Sequence, residues 1–260
     1  MKVRLDQHVH ISGLAESVDR AQRLIMAGQV RVDGRVVAKV GTLIDPAADV
    51  AVQPSRRYVS RGADKLAGAL DAFCVSPQGW TVADVGASTG GFSDLMLDRG
   101  AARVYAIDVG YGQLHWKLRN HPRVVVMERT NARYLEHLAE PVRLVTIDAS
   151  FISLQLLLPA VRGWLGPEGQ VIALIKPQFE APERDVEAGG VVRDQEAHRR
   201  VLSGVIHYAG EHAWSVLGLI RSPLRGPKGN VEFFIWLEPA DEHVSTADDG
   251  LIEHVLEMGE

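Results

Sequence analysis

The segment Asp84-Val85-Gly86-Ala87-Ser88-Thr89-Gly90-Gly91-Phe92 lies between an apolar run that suits a strand and one that suits a helix. A second acid, Asp108, ends the next apolar run, Val104-Tyr105-Ala106-Ile107. Small residues at such a turn let the backbone approach a ligand closely, and a carboxylate about 20 residues on can accept hydrogen bonds from a ribose diol. Three more strand-like runs end in reactive or polar residues. Asn131 follows the third, Asp148 ends Thr146-Ile147-Asp148-Ala149-Ser150-Phe151, and Lys176 opens Lys176-Pro177-Gln178-Phe179-Glu180. Ligands of parallel sheets bind at the carboxyl ends of the strands, so all five residues are expected at one crevice. A tight strand-to-helix connection would explain the turn equally, and a structural ion pair would explain Asp148 with Lys176.

Charge narrows the ligand. The third position of the G-x-G-x-x-G pattern is Ser88 rather than glycine, and Asp84 puts a negative charge where a pyrophosphate would be repelled. S-adenosylmethionine has a ribose, a sulfonium, an ammonium and no phosphate, so it suits an acid-flanked loop. The expected cofactor set is Asp84, Gly86, Ala87, Ser88, Thr89, Gly90, Gly91, Phe92, Asp108 and Asn131. Missing residues narrow the acceptor. Asp148-Ala149-Ser150-Phe151 lacks the two prolines of the Asn/Asp-Pro-Pro-aromatic run common in amine methylation. Carbon-5 methylation of a pyrimidine needs a thiolate, and the only thiol, Cys74, is on the wrong element. Oxygen methylation remains, with a lysine beside carboxylates able to take the hydroxyl proton. No Walker loop, H-E-x-x-H or G-x-S-x-G elbow is present, and no metal is expected. His198, His207 and His212 form no workable ligand set and are expected at the surface or partly buried.

The elements that must position these residues can be read from hydrophobic rhythm. Strands are expected near Thr81–Val85, Arg103–Ile107, Val124–Met127, Val142–Ile147 and Gln170–Ile175. Helices are expected near Lys65–Phe73, Phe92–Arg99, Gln113–Asn120, Ala132–Leu138, Ser153–Leu165 and Asp194–Ala209. Trp214–Ile220 and Val231–Trp236 should add an antiparallel pair at one edge. Strand-helix alternation implies an α/β fold with a mostly parallel seven-stranded sheet covered on both faces. Upstream, Ser17 is a plausible N-cap for a helix ending at Gly28, and Asp33-Gly34 supplies a hairpin turn between Val30–Val32 and Arg35–Val37. The tail from Glu238 is acidic; Leu251, Ile252, Val255 and Leu256 could form one short amphipathic turn or two, and the tail is expected to be disordered or loosely docked.

The chain of 260 residues is 46% hydrophobic, enough for a large α/β domain and a smaller one. Its net charge of −5 is uneven: residues 1–62 hold ten Lys/Arg against six Asp/Glu, and the remainder eighteen against twenty-seven. A basic end on an acidic body suggests a handle for a polyanion. Arg20, Arg23, Arg31 and Arg35 could share one face there, or form an ordinary solvated surface. The single cysteine excludes an intrachain disulfide and is expected to be buried. No secretion signal and no uninterrupted apolar run of about 18 residues is visible, so a cytoplasmic protein is expected.

These motifs, taken together, resemble the TlyA, or hemolysin A, family of ribosomal RNA 2′-O-methyltransferases. The resemblance spans about Leu5 to Leu237. It includes Tyr58-Val59-Ser60-Arg61-Gly62, Ile107-Asp108-Val109-Gly110-Tyr111-Gly112-Gln113-Leu114, Glu128-Arg129-Thr130-Asn131-Ala132-Arg133, Gly189-Gly190-Val191-Val192-Arg193-Asp194 and Gly226-Pro227-Lys228-Gly229-Asn230-Val231-Glu232. It implies a Rossmann-like domain dependent on S-adenosylmethionine and a Lys-Asp-Lys-Glu tetrad at Lys65, Asp148, Lys176 and Glu232. In that tetrad Lys176 activates the ribose hydroxyl, Asp148 and Glu232 orient it, and Lys65 holds the ribose or a phosphate. The resemblance also implies a small α+β RNA-binding module at residues 1–54, of a type first described in a ribosomal small-subunit protein. A basic linker at 55–62, the catalytic domain at 63–239 and the acidic tail at 240–260 follow. Candidate RNA contacts are Arg4, Arg20, Arg23, Arg31, Arg57 and Arg61. Ser17-Val18 replaces the usual Ser-Arg opening of the second helix, His8-Val9-His10 replaces apolar residues, and Ala63 replaces a common glycine. The implied partner is ribosomal RNA within a ribosomal subunit or assembling ribosome, methylated at a cytidine, with no membrane involved. A turnover-free assembly factor and a membrane-lytic protein are the competing readings.

Overall fold

A computed structural model describes residues 2–53, 57–243 and 249–257. The chain divides into two units, Met1–Arg57 and Tyr58–Glu260.

In the first unit, β1 (Val3–Arg4) leads into α1 (Leu5–Ile11), α2 (Val18–Met26), β2 (Val30–Val32), β3 (Arg35–Val36), β4 (Leu43–Ile44) and β5 (Val50–Val52). Ser17 caps α2 by accepting the Arg20 N–H at 3.1 Å, so that helix begins where its first free amides find a side-chain oxygen. Asp33 and Gly34 both adopt positive φ, 48° and 76°, which is the backbone a two-residue hairpin requires. Leu5, Val9, Ala21, Leu24, Ile25, Val30 and Ile44 form the core.

The second unit is built on a seven-stranded sheet. Its elements are α3 (Gly62–Ala72), β6 (Thr81–Val85), α4 (Gly91–Asp98), β7 (Arg103–Ile107), α5 (Trp116–Arg119), β8 (Val124–Met127), β9 (Val142–Ile147), α6 (Leu158–Arg162), β10 (Leu165–Ile175), α7 (Pro177–Glu180), α8 (Gln195–Glu211), β11 (Trp214–Arg221), β12 (Phe233–Pro239) and α9 (Asp249–Glu257). The strand order is β11-β12-β10-β9-β6-β7-β8, parallel except that β12 runs against both neighbours. Side chains alternate between faces. Val82, Leu144, Ile172 and Phe234 pack with Leu66 and Leu70 of α3 and Leu95 and Met96 of α4. Ala83, Val145, Ala173 and Ile235 pack with Leu202, Val205 and Ile206 of α8 on the other side. The chain leaves β6 toward β7 on one side and returns as β9 on the other, so a topological switch point lies between β6 and β9. Ligand crevices open at such points.

Several expected elements are shorter than their hydrophobic rhythm suggests. Around 132–138 there is only a single turn, Ala132–Tyr134, because Leu135 turns extended and its carbonyl accepts the Trp164 indole N–H at 2.9 Å. Ser153–Leu165 breaks into a turn at Leu154–Leu156 and the five-residue α6. Over Gln113–Asn120 only the four residues of α5 are helical; the Asn120 side chain folds back on the Trp116 carbonyl at 2.8 Å. β10 begins five residues earlier than expected.

Three expectations about burial are corrected. Cys74 is exposed, because it takes the left-handed position (φ 54°) that ends α3 while Val75 N–H closes on Leu70 O at 2.9 Å. His198 is buried, its Nε2 3.0 Å from Val192 O and its ring edge-on to Phe233. His207 and His212 are exposed, as expected. The acidic tail contributes a docked helix: Ile252, Val255 and Leu256 of α9 enter the core, and Arg199 makes a two-pronged ion pair with Glu253 at 2.7 and 2.8 Å.

Candidate active site

The β6–α4 turn is shaped by what it must approach. Gly86 has φ 81°, and a Cβ there would sit 2.7 Å from Asp148 O, so only glycine lets the ends of β6 and β9 close up. Gly90, at φ 95°, starts α4 from the left-handed region. Asp84 is fully buried. Its Oδ2 accepts the Ser93 N–H at 2.9 Å and the Ser93 hydroxyl at 2.6 Å, whereas Oδ1 has no partner. Burial pushes the carboxyl up to about 7 against the lowering effect of Ser93, and Asp148 adds to the rise. Asp84 borders a cavity of about 180 Å³ with Lys65, Asp148, Arg61 and the Gly86–Thr89 backbone. A buried acid with one vacant lone-pair face favours a cation in that space.

On the other side of the turn, Asp108 ties two loops together. Its Oδ2 accepts Ser88 N–H at 2.8 Å and Oδ1 accepts Gly110 N–H at 2.6 Å. Each oxygen keeps a lone pair for a diol. Asp108, Asn131 and Asp148 line a second cavity of about 480 Å³ that continues past Gly86 and Ser88 to Phe151. Asn131 also accepts the Arg133 N–H at 3.1 Å, which holds its own loop.

Lys65, Asp148, Lys176 and Glu232 form two ion pairs. Lys176 Nζ lies 2.7 Å from Asp148 Oδ1 and 2.9 Å from Ser150 Oγ. Lys65 Nζ lies 2.6 Å from Glu232 Oε2, with both side chains buried. The expectation that Glu232 orients Lys176 is therefore corrected: α3 and β12 face each other across the sheet end and give Glu232 to Lys65, leaving Asp148 and Ser150 to hold Lys176. Glu232 Oε1 has no partner, and Gly226 is pressed so close to it that any Cβ would collide.

Sequence reasoning passed over three residues here. Ser93 holds Asp84, and Ser150 holds Lys176. Phe151 has φ 63° and is 89% exposed, with its ring 4.9 Å from that of Phe179. An exposed aromatic beside a polar crevice offers a stacking face. The Ser hydroxyls carried no signal, because a serine's role depends on what the fold brings to it.

The candidate RNA contacts are handled differently. Arg4 makes a two-pronged pair with Asp6 at 2.8 and 3.0 Å, which with Gln22 holds the Asp6 carboxyl down at about 2. Arg23 pairs with Asp19 at 2.7 Å, and Arg31 donates to Gly34 O at 2.6 Å inside its own hairpin. Arg20 is exposed beside a hollow with Leu24 and Gln29. Arg57 is exposed at the end of the first unit, and Arg61 borders the Lys65 cavity. Among the described residues no cluster of His, Cys, Asp and Glu could hold a metal ion, and no helix is long and apolar enough to cross a membrane.

Residues 58–239 match the model of the FtsJ-like methyltransferases, and residues 3–50 match the S4 domain. The chain is 47% identical over 250 residues to a Mycobacterium tuberculosis protein named 16S/23S rRNA (cytidine-2′-O)-methyltransferase TlyA, covering 95% of this chain and 93% of that one. It is 38% identical to hemolysin A of Brachyspira hyodysenteriae over 89% of this chain and 98% of that one. Among solved structures, a protein named hemolysin from Streptococcus thermophilus superposes with a TM-score of 0.74 at 42% identity, covering 99% of this chain and 95% of the other.

Proposed function

From the premise that this chain belongs to the FtsJ-like methyltransferase family, we propose that it methylates the 2′-hydroxyl of a cytidine ribose in ribosomal RNA. The observation that carries this reading is the pair of Lys–carboxylate bridges beside an acid-lined turn at the β6/β9 switch point.

The residues present fit S-adenosylmethionine. The vacant Oδ1 of Asp84 suits a cationic ligand, the Gly86–Gly91 backbone allows close approach, and Asp108 with Asn131 suits a ribose. When bound, S-adenosylmethionine supplies a methyl on a sulfonium that is already activated for displacement. The protein must then place the hydroxyl and take its proton. Lys176 acts in its neutral-amine form, having passed one ammonium proton to Asp148 or solvent: its free Nζ lone pair takes the 2′-hydroxyl proton as the oxygen–methyl bond forms and the sulfur–methyl bond breaks, with Asp148 and Ser150 fixing the direction in which Nζ points. Lys65, anchored by Glu232, presents N–H donors to the ribose or its phosphate. Fixed positions for donor and acceptor supply most of the acceleration, since neither partner needs further activation than a proton transfer. A 2′-hydroxyl is required, so RNA and not DNA is the substrate. The first unit, whose residues 3–50 match the S4 domain, is the RNA-holding module, with Arg20 offering charge at its surface. Residues 1–54, 55–62, 63–239 and 240–260 serve as module, linker, catalytic domain and tail.

The experiment is transfer of labelled methyl from S-adenosylmethionine to ribosomal subunits from cells that lack the protein. Wild type should label the RNA, and Lys176→Ala should reduce labelling by about 10²–10⁴-fold, with circular dichroism showing that the variant is still folded at the assay temperature. RNA binding without any transfer would favour the assembly factor, and leakage of dye from liposomes would favour a lytic protein.

A further inference from the structure

Outside the crevice, cations gather where the β11–β12 connection meets the loop before α8. A cavity of about 470 Å³ is lined there by Arg193, Arg221, Arg225 and Lys228, together with His198 and Leu256. Two acids stand nearby, and both are engaged. Glu187 pairs with Arg193, and Asp194 accepts the first amides of α8 at 3.3 and 3.0 Å. Among the described residues Lys228 and Arg225 donate to backbone carbonyls, to Gly189 O at 2.6 Å and Gly229 O at 3.2 Å, and no carboxylate there pairs with either. Arg221 is half-buried, and both influences on its guanidinium, burial and the neighbouring Arg225, work against its charge. His198 is held below its usual range, first by burial, and is neutral at pH 7. Like charges in a partly desolvated hollow repel, and an anion entering it would relieve them.

The loop that carries these cations ends in Glu232. Ser222 N–H donates to Glu232 O at 2.8 Å, Gly226 N–H donates to Asn230 O at 2.8 Å, and Gly226 lies directly against the Glu232 carboxylate. A group gripping Arg221 and Arg225 would therefore stiffen the segment that sets Glu232, and through it Lys65.

We propose that this hollow is a subsite for a backbone phosphate of the acceptor RNA, held by Arg221 and Arg225 with Lys228 at the rim. The planar guanidinium fork matches phosphate oxygens two at a time, and the hollow of about 470 Å³ has room for a phosphate group. This rests on the RNA methylation reading and adds a place where the RNA docks apart from the S4 unit and from the reacting ribose.

The test is equilibrium binding to ribosomal subunits as a function of salt, for wild type, Arg221→Gln/Arg225→Gln and Arg221→Lys/Arg225→Lys. The glutamine pair should weaken binding about tenfold or more. It should also flatten the plot of log affinity against log salt by about 0.7–0.9, the loss of one phosphate contact. The lysine pair should keep most of the slope. Melting temperature and S-adenosylmethionine affinity show whether the glutamine pair is folded; if it is not, Arg225→Gln alone, at an exposed position, carries the same test. Inorganic phosphate at matched ionic strength should compete with RNA in wild type and lose that effect in the variants. Unchanged affinity and slope would overturn the subsite. Phosphate competition lost without any change of RNA slope would assign the hollow to a free phosphate and overturn the RNA assignment. Should wild type bind RNA with this variant-sensitive slope yet transfer no methyl, the activity reading fails and the subsite stands.

Discussion

The two units treat their charged residues in opposite ways. In the first, Arg4, Arg23 and Arg31 find partners two to four residues away, at Asp6, Asp19 and Gly34. In the second, Lys65 reaches Glu232 across 167 residues of sequence, Lys176 reaches Asp148 across 28, and both lysines are buried. A local partner comes with the helix or turn and contributes little beyond it, because solvent screens exposed pairs. A distant buried pair forms only when the whole sheet is in place, and an unpaired member would be costly.

The largest expected effect on stability comes from splitting the buried pair. Lys65→Ala leaves Glu232 uncompensated and should cost about 3–5 kcal/mol in denaturant melts, while Lys65→Met/Glu232→Leu should recover most of it. A loss under 1 kcal/mol would put Lys65 in the same class as the surface arginines. Gly226→Ala comes next. Its methyl must displace the Glu232 carboxylate, so transfer should fall about tenfold to a hundredfold and the unfolding midpoint should drop, by less than in Lys65→Ala because both charges remain.

Asp84 tests the vacant oxygen. With its carboxyl raised to about 7, the ligand-free fold binds a proton that the unfolded chain releases near its ordinary value of 3.8. That contribution to stability is present at low pH and declines as pH rises from about 4 to 7. A cation needs the ionised form. Calorimetry should therefore show S-adenosylmethionine affinity falling by up to about tenfold per pH unit below 7, and Asp84→Asn should bind weakly with no such dependence. In the first unit the sign reverses: Asp6, held at about 2, favours the folded form above about 4 and loses that contribution as pH drops toward 2. The smallest effect is Asp19→Ala, whose exposed pair with Arg23 should change stability by less than about 0.5 kcal/mol.

The same contrast explains what could be read before any coordinates. Strand-helix alternation and strand-end positions were enough to pick Asp84, Asp108, Asp148 and Lys176, because those residues sit where runs of apolar side chains stop. Spacing could not pick Lys65 or Glu232. One lies on a helix before the sheet, the other just ahead of β12, the second strand in the sheet order, and only family resemblance joined them. Their pairing was misassigned even then, since resemblance names residues without saying which touches which. Ser150 was hidden because a serine's role depends on its neighbours. The apolar face of α9 was legible as an amphipathic turn or two at Leu251, Ile252, Val255 and Leu256, but the acidic composition around it hid that this face docks in the core. Short helices at α5 and α6 were over-read because apolar rhythm persists through turns that side-chain hydrogen bonds and extended residues interrupt.

The central claim is that the methyl goes to a sugar oxygen in this crevice. Labelled ribosomal RNA should be digested to nucleosides after reaction with wild-type protein and resolved by mass spectrometry. The account predicts label in 2′-O-methylcytidine and in no base-methylated nucleoside. Label on a base nitrogen or carbon would contradict it.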